Sequence, residues 1–139
     1  MVAGRRSRWT MGAGTGPARH RAVGEYGEKV AARHLEACGL RVVDRNWRCD
    51  LGEVDIVAVA PGEPPTLVVC EVKTRTSTAF GGPLDQVTLR KAARLRRLAV
   101  RWLQAHPEVT SPHVRVDVVG VTVPRTGAAQ VEHLEAVLS

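Results

Sequence analysis

A chain of 139 residues fits one domain plus a tail, and its 44% apolar content is ordinary for a globular protein with a buried core. An aromatic content of 4% argues against an aromatic-rich binding surface, and no apolar run nears the ~20 residues that span a bilayer. The net charge of +6 is placed unevenly: residues 1–23 carry five arginines and no acid, while the remainder is nearly balanced.

Residues 1–22, "MVAGRRSRWTMGAGTGPARHRA", have no sustained periodicity and read as a basic, disordered tail ahead of a single domain over 23–139. The tail lacks both the apolar centre of a secretory signal and the amphipathic repeat of a transit peptide. From Gly24 to Cys38, the positions Gly27, Val30, Ala31, His34, Leu35 and Cys38 recur at helical spacing, and Gly39 follows as a stop. "LRVVDRNWR" and "GEVDIVAVA" read as strands, "APGEPPT" as a turn and "LVVCEVKTR" as a third strand. After the loop "TSTAFGG", Pro83 suits the first turn of a long helix ending near Ala105. "HVRVDVVGVTV" is a fourth strand, and "AQVEHLEAVL" closes the chain as a strand or a short helix. The order αβββαβ predicts an α/β domain, a mixed sheet flanked by helices.

The three cysteines, Cys38, Cys49 and Cys70, form no CxxC pair and fit a reducing cytoplasm. The histidines, His20, His34, His106, His113 and His133, show no ligand-like spacing, so a zinc site is not expected.

Four charges interrupt strands two and three: Glu53, Asp55, Glu71 and Lys73. A short turn makes these strands antiparallel neighbours, and a turn centred near Glu63 pairs residues whose numbers sum to about 126. Asp55 then faces Glu71 and Glu53 faces Lys73, with all four on one face because i and i+2 share a face. Opposed carboxylates at the end of an apolar sheet repel each other and are costly to desolvate. A divalent cation resolves both problems, and all-oxygen ligation favours Mg²⁺ or Mn²⁺ over zinc. Lys73 beside them can hold a scissile phosphate and orient water, which suits phosphodiester hydrolysis. The plainer reading is a charge-paired strand end with Glu53–Lys73 as a surface bridge.

On the second helix, Leu84, Val87, Leu95, Leu98 and Trp102 form an apolar stripe at 100° per residue. Arg90, Arg94, Arg97 and Arg101 line a separate arc, either a solvated face or a track for a phosphate backbone. Lys91 falls inside the apolar arc, so it must snorkel or point into a site. Glu28 likewise borders the buried stripe of helix one.

The stretches "GEYGEKVAARHLEACGLRVVDRNWR", "GEVDIVAVA", "VVCEVKTR", "FGGPLDQVTLRKAARL" and "VRVDVVGV", in this order over residues 24–123, together resemble the YraN family of small bacterial proteins. That family is similar to Holliday-junction resolvases of the restriction-endonuclease-like, PD-(D/E)XK superfamily. The resemblance implies that Asp55 is the central metal-binding aspartate and that Glu71 and Lys73 are the E-x-K pair. Val72 then lends a backbone carbonyl to the metal, and Glu28 is the supporting helix glutamate. Lys91 matches a lysine placed near DNA, and Arg75, Arg115 and Asp117 match further family positions, with Arg75 a candidate DNA contact. Val54 replaces the motif's proline without removing a ligand.

The resulting expectation is a cytoplasmic, metal-dependent nuclease acting on DNA, branched or otherwise structured DNA included, and by analogy with resolvases a homodimer. Its competitors are a non-catalytic nucleic-acid-binding module and a protein-interaction adaptor on the same fold.

Overall fold

A computed structural model describes residues 17–76, 88–111 and 113–137. The elements are α1 (Pro17–Ala37), β1 (Arg41–Cys49), β2 (Gly52–Ala60), β3 (Thr66–Arg75), α2 (Leu89–Ala105), β4 (His113–Thr122) and β5 (Gln130–Leu134). The five strands form one sheet in sequential order. β3 and β4 are parallel and every other neighbouring pair is antiparallel. The sheet is therefore mixed, with α1 packed on one face and α2 on the other, consistent with a restriction-endonuclease-like fold.

Strand periodicity assigns the two faces. On β3, Val68, Cys70 and Val72 join Ala31 and Leu35 of α1, whereas Leu67 and Val69 join Leu95, Leu98 and Trp102 of α2. β1 carries a bulge between Val42 and Asp44. The extra residue lets Val43 pack on the α2 side while Asp44 Oδ2 accepts from the buried Trp102 Nε1 at 2.8 Å.

Helix ends follow capping chemistry. α1 stops where Gly39 (φ +94°) donates to Glu36 O and Leu40 donates to Leu35 O, both at 3.0 Å. This is the paired closure that glycine permits, and buried Leu35 and Leu40 are its apolar contact. At the other end α1 reaches back to Pro17, seven residues before the expected Gly24. The added turns, "PARHRAV", have no apolar stripe by which periodicity would have marked them. The tail expected over 1–22 is thus helical over 17–22, and residues 1–16 lie outside the described residues. α2 begins at Leu89, not Pro83, because Thr88 is extended and its side chain caps Lys91 N. Pro83, Leu84 and Val87 lie outside the described residues. The closing segment, strand or helix by sequence, is strand β5.

One close approach sets the height of α1 above the sheet. A Cβ added to Gly27 would sit 2.0 Å from Thr74 Oγ1 and 2.7 Å from its Cγ2. Gly27→Ala is therefore expected to destabilise the fold by about 1–3 kcal/mol through overpacking. The measurement is the urea midpoint, which should fall at an unchanged slope.

Candidate active site at the fork of the sheet

β2 and β3 separate where the charges begin. Their ladder runs from Ala60↔Thr66 to Ile56↔Cys70, with the expected sum of 126, and ends there. Beyond it, Val54, Glu53 and Gly52 stay with Trp47, Arg48 and Cys49 of β1, while Glu71 to Arg75 stay with Val118 to Thr122 of β4. β2 also turns about its axis at this point. Val54 packs on the α2 side and Ile56 on the α1 side, although strict alternation would put them on one face. Across from the turn, Asn46 sits at φ +55°, a conformation asparagine tolerates better than most residues.

Asp55 lies at the turn, fully buried, and its Oδ2 accepts from Val72 N at 2.6 Å. The side chain thus bridges the two separating strands. Glu71 and Lys73 alternate with Cys70 and Val72, so they face α2. Both are buried, with Lys73 Nζ 3.7 Å from Glu71 Oε2. Together with Lys91, Ala92, Arg94 and Leu95 of α2, and with Val118 and Val137, they line one cleft. Lys91 therefore points into a site, the second of the two options its place in the apolar arc allowed.

Glu28 is buried on α1, one residue beyond the Gly27–Thr74 contact. The carboxylates of Glu28, Asp55 and Glu71 are not all within 4.8 Å of one another. The expected Glu53–Lys73 pairing is corrected: Glu53 Oε2 forms an ion pair with Arg48 Nε at 2.8 Å across the β1–β2 ladder, and Lys73 stands opposite Gly120. The reason is the fork, which carries Glu53 away with β1.

Arg90, Arg94 and Arg97 are exposed on α2. Arg101 at the end of the stripe is engaged by Asp50, and its hydrogen bond holds that exposed carboxyl below the usual range. Arg75 is half-buried at the end of β3.

Residues 27–121, from the Gly27 contact to the end of β4, match the family described as uncharacterised protein family UPF0102. The chain belongs to UPF0102, the YraN family. It is 60% identical over 116 residues to a UPF0102 protein of Beutenbergia cavernae, covering 84% of this chain and 95% of that one. It is 56% identical over 116 residues to one from Kineococcus radiotolerans, covering 84% and 93%. A Streptomyces coelicolor member is 52% identical over 117 residues, covering 84% and 88%. The UPF0102 match contains Glu28, Asp55, Glu71, Lys73 and Lys91; β5 lies beyond it.

In this UPF0102 chain Cys70 lies behind the fork, on the α1 side. Burial, then the charges of Asp117, Asp55 and Glu71, push its thiol well above the usual range. Cys38 is exposed and Cys49 half-buried. A thiol-reactive dye is expected to label Cys38 and Cys49 in the native protein and Cys70 only after denaturation, which peptide mapping checks.

The sequence did not reveal a second cluster. His34, Cys38 and His133 offer ligand atoms within 4.8 Å of one another. Linear spacing hides it because one histidine comes from β5; the His34–Cys38 interval of four on a helix was the available signal.

Among the described residues no helix is long and apolar enough to cross a membrane.

Proposed function

We propose that this UPF0102 protein is a metal-dependent nuclease that hydrolyses phosphodiester bonds of DNA, with branched or otherwise structured DNA as its substrate class. The observation that carries the reading is one cleft lined by Glu71, Lys73, Lys91 and Arg94, beside a carboxylate buried at the sheet fork. Carboxylates alone would repel a phosphodiester, and lysines alone would not need two buried acids.

The donors fit a hard cation. Asp55 and Glu71 supply carboxylate oxygen, and Val72 between Glu71 and Lys73 supplies a carbonyl. Mg²⁺ or Mn²⁺ is commonly held by one or two carboxylates, with substrate phosphate and water completing the shell. Such an ion, when bound, polarises the phosphoryl group and acidifies water. In this reading the Lys73 ammonium neutralises charge developing on the phosphoryl oxygens and orients the attacking water. Lys91 and Arg94 hold the flanking phosphates, and Arg90 and Arg97 extend that track along α2. Arg75 is a further DNA contact, and Glu28 supports the acidic pair from α1. A cytoplasmic protein, a single domain that includes α1, and a homodimer cutting two strands are parts of the same proposal.

The test is cleavage of linear, forked and four-way DNA with Mg²⁺ or Mn²⁺ by wild type and Asp55→Asn. Cleavage by wild type alone, abolished by a chelator, is the expected result; undiminished cleavage by Asp55→Asn would sink the mechanism. The spacing of Glu28, Asp55 and Glu71 favours a second reading, a DNA-binding module without chemistry. Tight binding with no cleavage in either metal would establish it. In both readings the Arg90/Arg94/Arg97→Ala triple variant should bind DNA more weakly. The slope of log K against log salt should fall by about 0.9 for each phosphate that the variant no longer neutralises. Arg101→Ala should change that slope less, because Asp50 already engages the guanidinium.

A further inference from the structure

We propose that His34, Cys38 and His133 form a second metal site, on the α1 face of the sheet, that takes a borderline-soft divalent cation, with Zn²⁺ the best fit. The proposal is independent of the nuclease reading and uses none of its residues.

His34 lies in the last turn of α1 and Cys38 just past its end, with Cys38 N donating to His34 O at 3.0 Å, so the two side chains fall on one face. The glycine closure at Gly39 fixes where that face ends. β5 supplies His133, which pairs with Val119 and lies two residues from Val131, a side chain packed in the α1-side core. Residues two apart on a strand share a face, so the sheet turns His133 towards α1. His34 Nε2 lies 3.0 Å from His133 Nδ1 and 3.6 Å from Cys38 Sγ. The two rings meet edge to face with centroids 5.0 Å apart.

These separations are close to those of tetrahedral ligands. Zinc bonds of about 2.0–2.1 Å to nitrogen and 2.3 Å to sulfur place two nitrogens about 3.3 Å apart and nitrogen about 3.6 Å from sulfur. The nitrogen–sulfur distance needs no change, and the nitrogens need to part by roughly 0.3 Å. Two imidazoles and a thiolate select zinc over Mg²⁺ or Ca²⁺. Cys38 is exposed, so the fourth vertex opens to solvent.

The second observation lies behind His133. Its Nε2 is 2.8 Å from Oδ2 of Asp117, which is fully buried. Arg115 fixes that carboxylate with Nε to Oδ1 and Nη2 to Oδ2, each at 3.0 Å, and Ala136 N donates to Oδ1 at 3.0 Å. A carboxylate on one ring nitrogen holds the proton there and leaves the other as a lone pair, here Nδ1 aimed at His34. Metal-bound histidines commonly have this support. Without metal, one hydrogen bond joins His34 Nε2 and His133 Nδ1. Binding takes both nitrogens of that hydrogen bond as ligands and Cys38 as its thiolate, with the displaced protons passing to solvent.

Co²⁺ added to the reduced full-length protein reports the ligands directly. One equivalent is expected to give a thiolate-to-cobalt charge-transfer band that Zn²⁺ displaces. Cys38→Ser should lose the band, Cys49→Ser should keep it, and His133→Gln should weaken Zn²⁺ affinity at least tenfold in competition with a chromophoric chelator. Because Cys38 is exposed, its serine variant is not expected to compromise folding. Absence of the band in wild type, its persistence in Cys38→Ser, or unchanged affinity in His133→Gln would overturn the site and leave a plain histidine–histidine hydrogen bond.

Discussion

Lys73→Met is expected to reduce the proposed metal-dependent DNA cleavage by about 10²–10³-fold or more, the scale on which removing one preorganised transition-state donor acts. Its ammonium is buried beside Glu71 at 3.7 Å in the cleft that also holds Lys91 and Arg94. Methionine keeps an unbranched apolar side chain of nearly the same length and removes the ammonium, its charge and its donors. The same change should destabilise the fold, because it removes the Lys73 ammonium from beside the buried Glu71 carboxylate. Breaking a buried pair from one side costs about 3–5 kcal/mol, whereas removing both charges is often close to neutral. Glu71→Gln/Lys73→Met should therefore recover much of the lost stability and none of the activity. Initial rates on the DNA panel and urea denaturation of wild type, both single variants and the double variant check both halves. Wild-type cleavage by Lys73→Met would remove Lys73 from the mechanism. Equal stability of the single and double variants would remove the ion pair from the account of folding.

Asp117→Ala is expected to be the most damaging single change outside the cleft. The carboxylate is fully buried on β4 and is held by both forks of Arg115, by His133 and by the backbone of Ala136. It ties β5 and the chain beyond it back to the parallel centre of the sheet. Truncation leaves Arg115, a quarter exposed, and the Ala136 N–H without this partner. The expected loss is about 3–5 kcal/mol, the range for breaking a buried charged network from one side. Asp117→Asn should fall between, since an amide retains the shape and part of the acceptor capacity. Denaturant midpoints measure the order. If Asp117→Ala unfolds at the wild-type midpoint, the network does not hold β5.

The two ladders around Asp55 show where reading a sequence stops. The run from Gly52 to Ala60 is a strand with the bounds expected, and the hairpin sum of 126 holds wherever β2 and β3 pair. Both follow from local signals, β-branched apolar residues bounded by a Pro- and Gly-rich turn. The same sum extended to Glu53 and Lys73 fails, because pairing beyond Ile56↔Cys70 is decided by competition with β1 and β4. Arg48 and Asn46 on β1, and the parallel register of β4, decide it, and none is local to the hairpin. The helices divide in the same way. Leu95, Leu98 and Trp102 are buried as their spacing requires, and Lys91 lines the cleft, one of the two options its place in that arc allowed. The start of α2 depends on one threonine hydroxyl at Thr88, a weaker sequence signal than Pro83.

By itself, then, the sequence determined the order of helices and strands up to β4, the apolar stripe of α2, the β2–β3 register as far as those strands pair, and the family. All of these are encoded at period 2 or 3.6, or in ordered motifs along the chain. Only the tertiary structure decided that the sheet forks at Asp55, that Glu53 belongs to Arg48, and that His34 meets His133 across 99 positions. Those contacts join side chains on elements far apart in the chain. No local period encodes them; the order of strands in the sheet and the packing of α1 on it do.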